Sequence, residues 1–210
     1  MANSILICHP GRCGSHWLLY LLQRLTGLER PTVEPNPYAP LPGIIWGTQA
    51  FLPRVPDSGV DVVFLIRDPR DVIVSADAFE QAMGHAHFTA PVTGTTTEQV
   101  MDWFSWYLAV RDTAPGFTVR YEDLKVRPMW ILTKLLAYFG RPLPTTAEVS
   151  GAIQAESFRA RTGREPGHED ATQHNRKGIV GDWCNKWDAT TLVAFENQYG
   201  HQLAALGYGT

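Results

Sequence analysis

Apolar residues along this chain fall into two patterns that alternate: short unbroken runs and longer periodic stretches. "SILIC" (4–8) and "DVVFLI" (61–66) are continuous apolar runs bounded by turn-forming residues. Runs of this kind predict strands buried on both faces, as in a parallel sheet. "GIIWGT" (43–48) and "FTVRY" (117–121) predict two further short strands. Helical spacing fills the intervals. "WLLYLLQRLTG" (17–27) reads as a helix with Ser15 as its cap and Gly27 at its end. A second helix starts at Pro69, with Asp68 as cap, and carries Ile73, Ala76 and Phe79. Val100, Trp103, Phe104, Tyr107 and Leu108 mark an amphipathic helix that begins at Glu98. Further helices are expected over 130–140 and 145–158, and a last one bears Leu192, Phe195, Tyr199, Leu203 and Leu206. The proline-rich 30–43, the stretch 86–97 and the polar, Gly-rich 159–183 read as loops. Strands alternating with helices predict an α/β fold: a single domain over residues 1–210, with a central parallel sheet flanked by helices and ligand loops at the strand C-termini.

Composition narrows the function classes. The chain has 210 residues, 44% hydrophobic and 19% charged, with a formal net charge of −3. It can bury a core, and it lacks the basic excess of a general nucleic-acid binder, so no nucleic-acid partner is expected. No apolar run reaches the roughly 18 residues of a membrane span, and the start of the chain has no signal-peptide pattern. The expectation is a cytoplasmic protein with no membrane partner. The three cysteines, Cys8, Cys13 and Cys184, form no disulfide framework and read as reduced thiols. Cys8, His9 and Cys13 fit no zinc spacing, so no metal is expected.

Four places carry chemistry. "HPGRCGSHW" (9–17) turns through glycines from a strand into a helix, which aims backbone N–H groups and the helix dipole at one point; Arg12 adds a full charge. That suits a phosphate or sulfate, although a glycine turn with a surface arginine is the plainer alternative. It is not a Walker A loop, because His16 stands where the second glycine would be, with no lysine after it. In "LIRDPRDVIVSADAF" (65–79), Arg67 ends a buried strand and Ser75 lies two helical turns on, so the two are candidates for a second anion; Arg70 and Asp71 read as a solvated pair. "RKG" (176–178) offers two cations and a glycine to a phosphate, or forms a solvated charged loop. "VRYEDL" (119–124) puts Tyr121 at a strand end, with Glu122 and Asp123 placed to begin a helix.

The order and spacing of these segments resemble the sulfotransferases that use 3'-phosphoadenosine 5'-phosphosulfate (PAPS). "HPGRCGSHW" is similar to that family's Y-P-[KR]-S-G-[ST]-x-W. Arg67 to Ser75 match R-[DN]-P-[KR]-D-x-x-x-S without a gap. Tyr121 to Leu124 match Y-E-D-L, and Arg176 to Trp183 match R-K-G-x-x-G-D-W. The resemblance runs from about residue 4 to 208. It implies a P-loop-NTPase-like strand–loop–helix and a sulfuryl transfer from PAPS to a hydroxyl or amine of a small-molecule acceptor, releasing 3',5'-diphosphoadenosine (PAP). Arg12, Gly14, Ser15, His16 and Trp17 take the positions that grip the 5' side of the donor, with Arg12 at the catalytic cation. Arg67 and Ser75 take those that hold the 3'-phosphate, closed over by Arg176, Lys177 and Gly178. Trp17, Tyr121 and Phe158 take positions near the adenosine.

Three departures stand out. Gly11 is an extra residue in the first loop, which predicts a bulge. Gln49, in "WGTQAFLP", stands where many members carry a histidine base, and an amide cannot act as a general base. The chain is also shorter than typical members, so its acceptor-binding segments are reduced. His85 and His87 are the leading candidates for the base, with Glu34, His9 and His16 behind them. Trp46, Phe51, Phe79 and Phe88 are candidate walls of an acceptor pocket, or plain core. Two other readings stay open. One is a PAPS- or PAP-binding module that has lost catalysis, suggested by Gln49; the other is a nucleoside or nucleotide kinase with a degenerate phosphate loop.

Overall fold

The computed structural model describes residues 3–32, 35, 42–49, 52, 59–82, 95–173 and 175–209. Four strands form one sheet: β1 (Ser4–Cys8), β2 (Ile45–Thr48), β3 (Val60–Ile66) and β4 (Phe117–Arg120). Their order is β2-β1-β3-β4 and every pairing is parallel, with Ile5 opposite Ile45, Leu6 opposite Val62 and Val63 opposite Phe117. β1 and β3 are the central strands and are buried along their whole length. That is the physical reason for their unbroken apolar sequences, since a parallel strand covered on both faces has no solvent side to be polar on.

The helices are α1 (Ser15–Thr26), α2 (Pro69–Ala82), α3 (Thr95–Val110), α4 (Tyr121–Val126), α5 (Pro128–Tyr138), α6 (Thr146–Ala155), α7 (Phe158–Thr162) and α8 (Ala189–Leu206), with a 3-10 turn at Asp182–Asn185. The chain groups into two compact units. The first comprises residues 1–9, 13–66 and 114–164. It contains the sheet, with α1 packed on β2 and α6, and α5 on β4 and α6. Leu18, Leu21 and Leu22 of α1 and Leu132, Leu135 and Leu136 of α5 are fully buried there. Each contributes about 2 kcal/mol of apolar burial. The second comprises residues 10–12, 67–113 and 165–210. Here α2 packs on α3 and on the 3-10 turn, and α3 on α8, around Val72, Ile73, Phe104, Phe195 and Leu203.

The α/β class, the parallel sheet and its flanking helices agree with the sequence pattern, and several local expectations change. Gly14, not Ser15, caps α1: Gly14 is left-handed at φ 87° and Ser15 is the first helical residue. Tyr121 opens α4 rather than closing β4, and α3 begins at Thr95, before Glu98. The polar stretch 159–183 is not all loop. It starts within α7, whose Ser157 cap accepts from the Ala160 N–H, and it ends in the 3-10 turn. Gly27 closes α1 at φ 68°, and the Asp68 carboxylate caps α2 by accepting from the Arg70 N–H at 3.0 Å.

Candidate functional site

In the first unit the site is built on the join from β1 to α1. α1 begins with no side-chain cap and no acidic residue in its first turn. Among the described residues, no side chain caps its leading N–H groups, the arrangement that favours a bound anion. Gly14 is required on two counts. Its φ of 87° is strained for any L side chain, and a Cβ there would lie 2.6 Å from Cε2 of Tyr121. Tyr121 is buried, and its ring meets Trp17 edge to face, 6.1 Å between centroids. The four-residue spacing in "YEDLK" puts Lys125 on the same side of α4 as Tyr121, and the Lys125 ammonium stands 5.5 Å from the centre of the Trp17 ring. The Trp17 indole N–H is buried and has no hydrogen-bond acceptor among the described residues. The structure thus brings Gly14, Trp17 and Tyr121 together. It turns His16 aside, stacked on Tyr20 at 6.4 Å. Phe158 opens α7, half-buried, under the Arg164 guanidinium at 5.2 Å, and makes no ring contact with Trp17 or Tyr121.

In the second unit the organising residue is Arg67, which follows β3. Its Nη2 donates to Oδ2 of Asp71 at 3.0 Å and to the Ile179 carbonyl at 2.8 Å, and its Nη1 donates to the Arg12 carbonyl at 3.3 Å. Three segments that the sequence singled out separately are thus tied to one guanidinium. Arg12 is the only non-glycine with a positive φ among the described residues, at 62°. Such a conformation costs about 1 kcal/mol, and the hydrogen bond from Arg67 helps to hold it. Arg12 and Gly14 are the two left-handed residues on which the loop with the extra Gly11 turns. The Arg12 guanidinium lies 4.4 Å over the Phe79 ring, a cation–π contact.

Asp71 and Arg70 are not the solvated pair that the sequence suggested. Asp71 is fully buried, and besides the Arg67 bond it accepts from the Gly181 N–H at 2.8 Å and the Trp183 N–H at 3.1 Å. It staples the "GDW" turn to the start of α2. Arg70 is buried against Asp68, donates to the Tyr208 carbonyl at 3.0 Å and stacks 4.1 Å over Trp183. Asp71 is the residue that sequence reasoning missed. Its signal was there: it lies four residues from Arg67 and is followed by the apolar "VIV", so its side of the helix faces inward. Ser75, one turn further along, is also buried.

Arg176 and Lys177 converge on Asp182. Nη2 of Arg176 and Nζ of Lys177 lie 2.5 and 2.6 Å from its two oxygens, and Nη1 of Arg176 also bonds Glu169. Burial by itself would raise the Asp182 carboxyl, but hydrogen bonds from Lys177, Arg176 and Asn185 outweigh it and hold the pKa down at about 2. Gly178 is left-handed at φ 65°. A guanidinium carries five N–H donors, so a carboxylate partner orients an arginine without exhausting it for a phosphate. On the same unit, burial pushes the Asp77 carboxyl up to about 6.

Other expectations land elsewhere. His85, His87, Glu34, Phe51 and Phe88 lie outside the described residues. Gln49 is exposed directly after β2. Trp46 is a core residue of β2, 3% exposed, not a pocket wall. His9 is buried, with Nε2 against Gly47, where a Cβ would come within 2.9 Å. Cys8, Cys13 and Cys184 are free thiols, and burial pushes Cys8 up to about 12. Among the described residues, no cluster of His, Cys, Asp and Glu is placed to hold a metal ion, and no helix is long and apolar enough to cross a membrane.

The chain is similar to known proteins in sequence and in fold. The chain is 28% identical to rat sulfotransferase 1A1 over 163 residues, 68% of this chain and 55% of that protein. It is 28% identical to the dog protein of the same name over 179 residues, 75% and 60% of the two chains, and 26% identical to a guinea-pig 3-beta-hydroxysteroid sulfotransferase over 170 residues, 70% and 57%. The matches span a little over half the length of these relatives. In fold it superposes on a mouse sulfotransferase complexed with PAP (TM-score 0.70, 16% identity, 99% of this chain and 90% of that one). It also superposes on retinol dehydratase complexed with androsterone and inactive cofactor PAP (TM-score 0.63, 16% identity, 95% and 80%). The sulfotransferase domain model matches residues 2–207, so the strand–loop–helix at Arg12, the Arg67–Asp71 pair and the R-K-G segment stand in order along a chain that belongs to the sulfotransferase family.

Proposed function

We propose that residues 1–210 act as one sulfotransferase domain that moves a sulfuryl group from PAPS to a hydroxyl or amine of a small molecule and releases PAP. The observation that carries this reading is the α1 N-terminus. It has no side-chain cap, no acid in its first turn, and is entered through a left-handed glycine where a Cβ would press on Tyr121. Bound PAPS would supply the sulfuryl group and the leaving phosphate. The chain's own part is positioning and charge stabilisation. The N–H groups at Gly14 and Ser15 would hold the 5' anion, with His16 beside them. Trp17 and Tyr121 would meet the adenosine, with Phe158 as a further candidate. Arg67, Ser75, Arg176, Lys177 and the Gly178 N–H would hold the 3'-phosphate. Arg12 would stabilise the charge that builds on the leaving oxygen, and its seat on Phe79 keeps its planar fork in one orientation. His85 or His87 would accept the acceptor's proton. Free thiols at Cys8, Cys13 and Cys184 suit a cytoplasmic setting.

PAP at a hundred times its Kd should raise Tm by several degrees, as about 2.7 kcal/mol of ligand linkage requires, and AMP at equal concentration should do far less. No shift with PAP would sink the proposal. Arg12→Ala should abolish PAP release in the presence of PAPS and an acceptor panel, while Arg67→Ala should chiefly weaken PAP binding. Exposed Gln49 in place of a histidine favours one second reading, a donor-binding module without turnover. A Tm shift with PAP, but no transfer to any phenol, alcohol or amine, would select it.

A further inference from the structure

We propose that Lys125 is a positioning residue for the donor's base: its ammonium fixes the Trp17 ring against which the adenine is read. The inference rests on the donor reading above and concerns a residue to which no role has yet been given. Trp17 is half-exposed on the first turn of α1. A tryptophan ring is ordinarily held by its indole N–H as well as by packing. Here that N–H is buried and makes no hydrogen bond among the described residues. Two residues of α4 meet the ring, the Tyr121 edge at 6.1 Å and the Lys125 ammonium at 5.5 Å.

The two neighbours do different things. Tyr121 is buried and wedged against Gly14, so it sets where the ring sits. Lys125 supplies a charge–quadrupole attraction, which is directional and favours the ring lying across the ammonium. An indole drawn to a cation on one face has its opposite face turned to whatever stacks there. A planar base gains from a ring already oriented, because less freedom is lost on binding. The "Y-E-D-L-K" spacing is what makes this possible: four residues bring both side chains to one face of a short helix.

The test compares two ligands on three proteins by calorimetry. The ligands are PAP and ribose 3,5-bisphosphate, which keeps the two anions and lacks the base. The proteins are wild type, Lys125→Met and Lys125→Arg. A lost cation–π contact of ordinary strength should weaken PAP about two- to five-fold in Lys125→Met. It should leave ribose bisphosphate unchanged, and Lys125→Arg should restore PAP. Equal weakening of both ligands would mean that Lys125 acts only as a charge on the phosphates and would overturn the inference, as would unchanged PAP affinity. Should Lys125→Met fail to fold, Lys125→Gln reads the same ratio. Wild-type protein that binds neither ligand would refute the donor reading itself, an outcome distinct from a wild type that binds PAP with no Lys125 effect.

Discussion

At Gly14 the backbone and the neighbouring side chain make the same demand. A φ of 87° excludes ordinary residues, and the Tyr121 ring fills the space where a Cβ would go, 2.6 Å away. Tyr121 is buried and cannot swing aside without dragging the start of α4. Gly14→Ala should therefore lower stability by about 2–4 kcal/mol, the sum of left-handed strain and overpacking. Urea unfolding measures this, and a loss below 0.5 kcal/mol would show that the loop relaxes freely. Asp71 makes a complementary case. Asp71→Ala would leave the buried Arg67 guanidinium without its carboxylate and two N–H groups without their acceptor, and about 3–5 kcal/mol should be lost. Asp71→Asn should cost less, because an amide oxygen still accepts. At this scale the sequence was informative about glycines and arginines and silent about their partners. Within R-D-P-R-D, Arg70 and Asp71 read as a solvated pair. Whether two opposite charges neutralise each other inside the protein depends on a turn more than a hundred residues away, and local composition does not encode that.

Among the elements, α2 carries two carboxylate relationships of opposite sign, and pH separates them. Asp182, in the turn stapled to α2, has its folded pKa held at about 2, below its ordinary 3.8. A depressed carboxyl contributes stability above its unfolded pKa. That contribution is lost as pH falls from about 4 through about 2. Asp77, on α2 itself, has its folded pKa raised by burial to about 6. Its charged form is disfavoured in the fold, so it opposes stability increasingly as pH rises from about 4 to 6, and fully above that. Asp77→Asn should thus raise Tm at pH 8 and leave it unchanged at pH 3.5. Asp182→Asn should lower Tm at pH 7, with the gap from wild type closing toward pH 2. Thermal melts across pH 2.5–8 check both, and a Tm gain from Asp77→Asn that did not depend on pH would refute the first. The elements themselves were legible where burial is two-sided or periodic: β1, β3, α1 and α8 follow their apolar patterns. The short α7 was not. It is five residues with no buried side chain, held by the Ser157 cap, and hydrophobic periodicity has nothing to register there.

For the whole molecule, charge is the quantity that constrains donor binding. The chain carries a formal −3, yet the proposed donor is itself multiply anionic. Attraction must then be local, and the cations proposed for the 3'-phosphate are already partnered: Arg67 with Asp71, and Arg176 and Lys177 with Asp182 and Glu169. Each pairing orients a cation but cancels much of its field at longer range. Two consequences follow. Long-range steering of PAP should be weak, so its association rate should vary little with ionic strength. Contact-range attraction survives, because buried groups are screened far less than exposed ones. Raising NaCl from 50 to 500 mM should therefore weaken PAP by only about three- to ten-fold, mostly through a faster off-rate. Stopped-flow binding at the two salt concentrations decides between this and a steered mechanism, in which the on-rate would collapse instead. Neutralising one staple tests the same logic from the other side. Glu169→Gln frees part of the field of Arg176 and Lys177 without entering the buried Asp182 bond. It should speed PAP association at 50 mM NaCl and leave the rate at 500 mM near that of wild type.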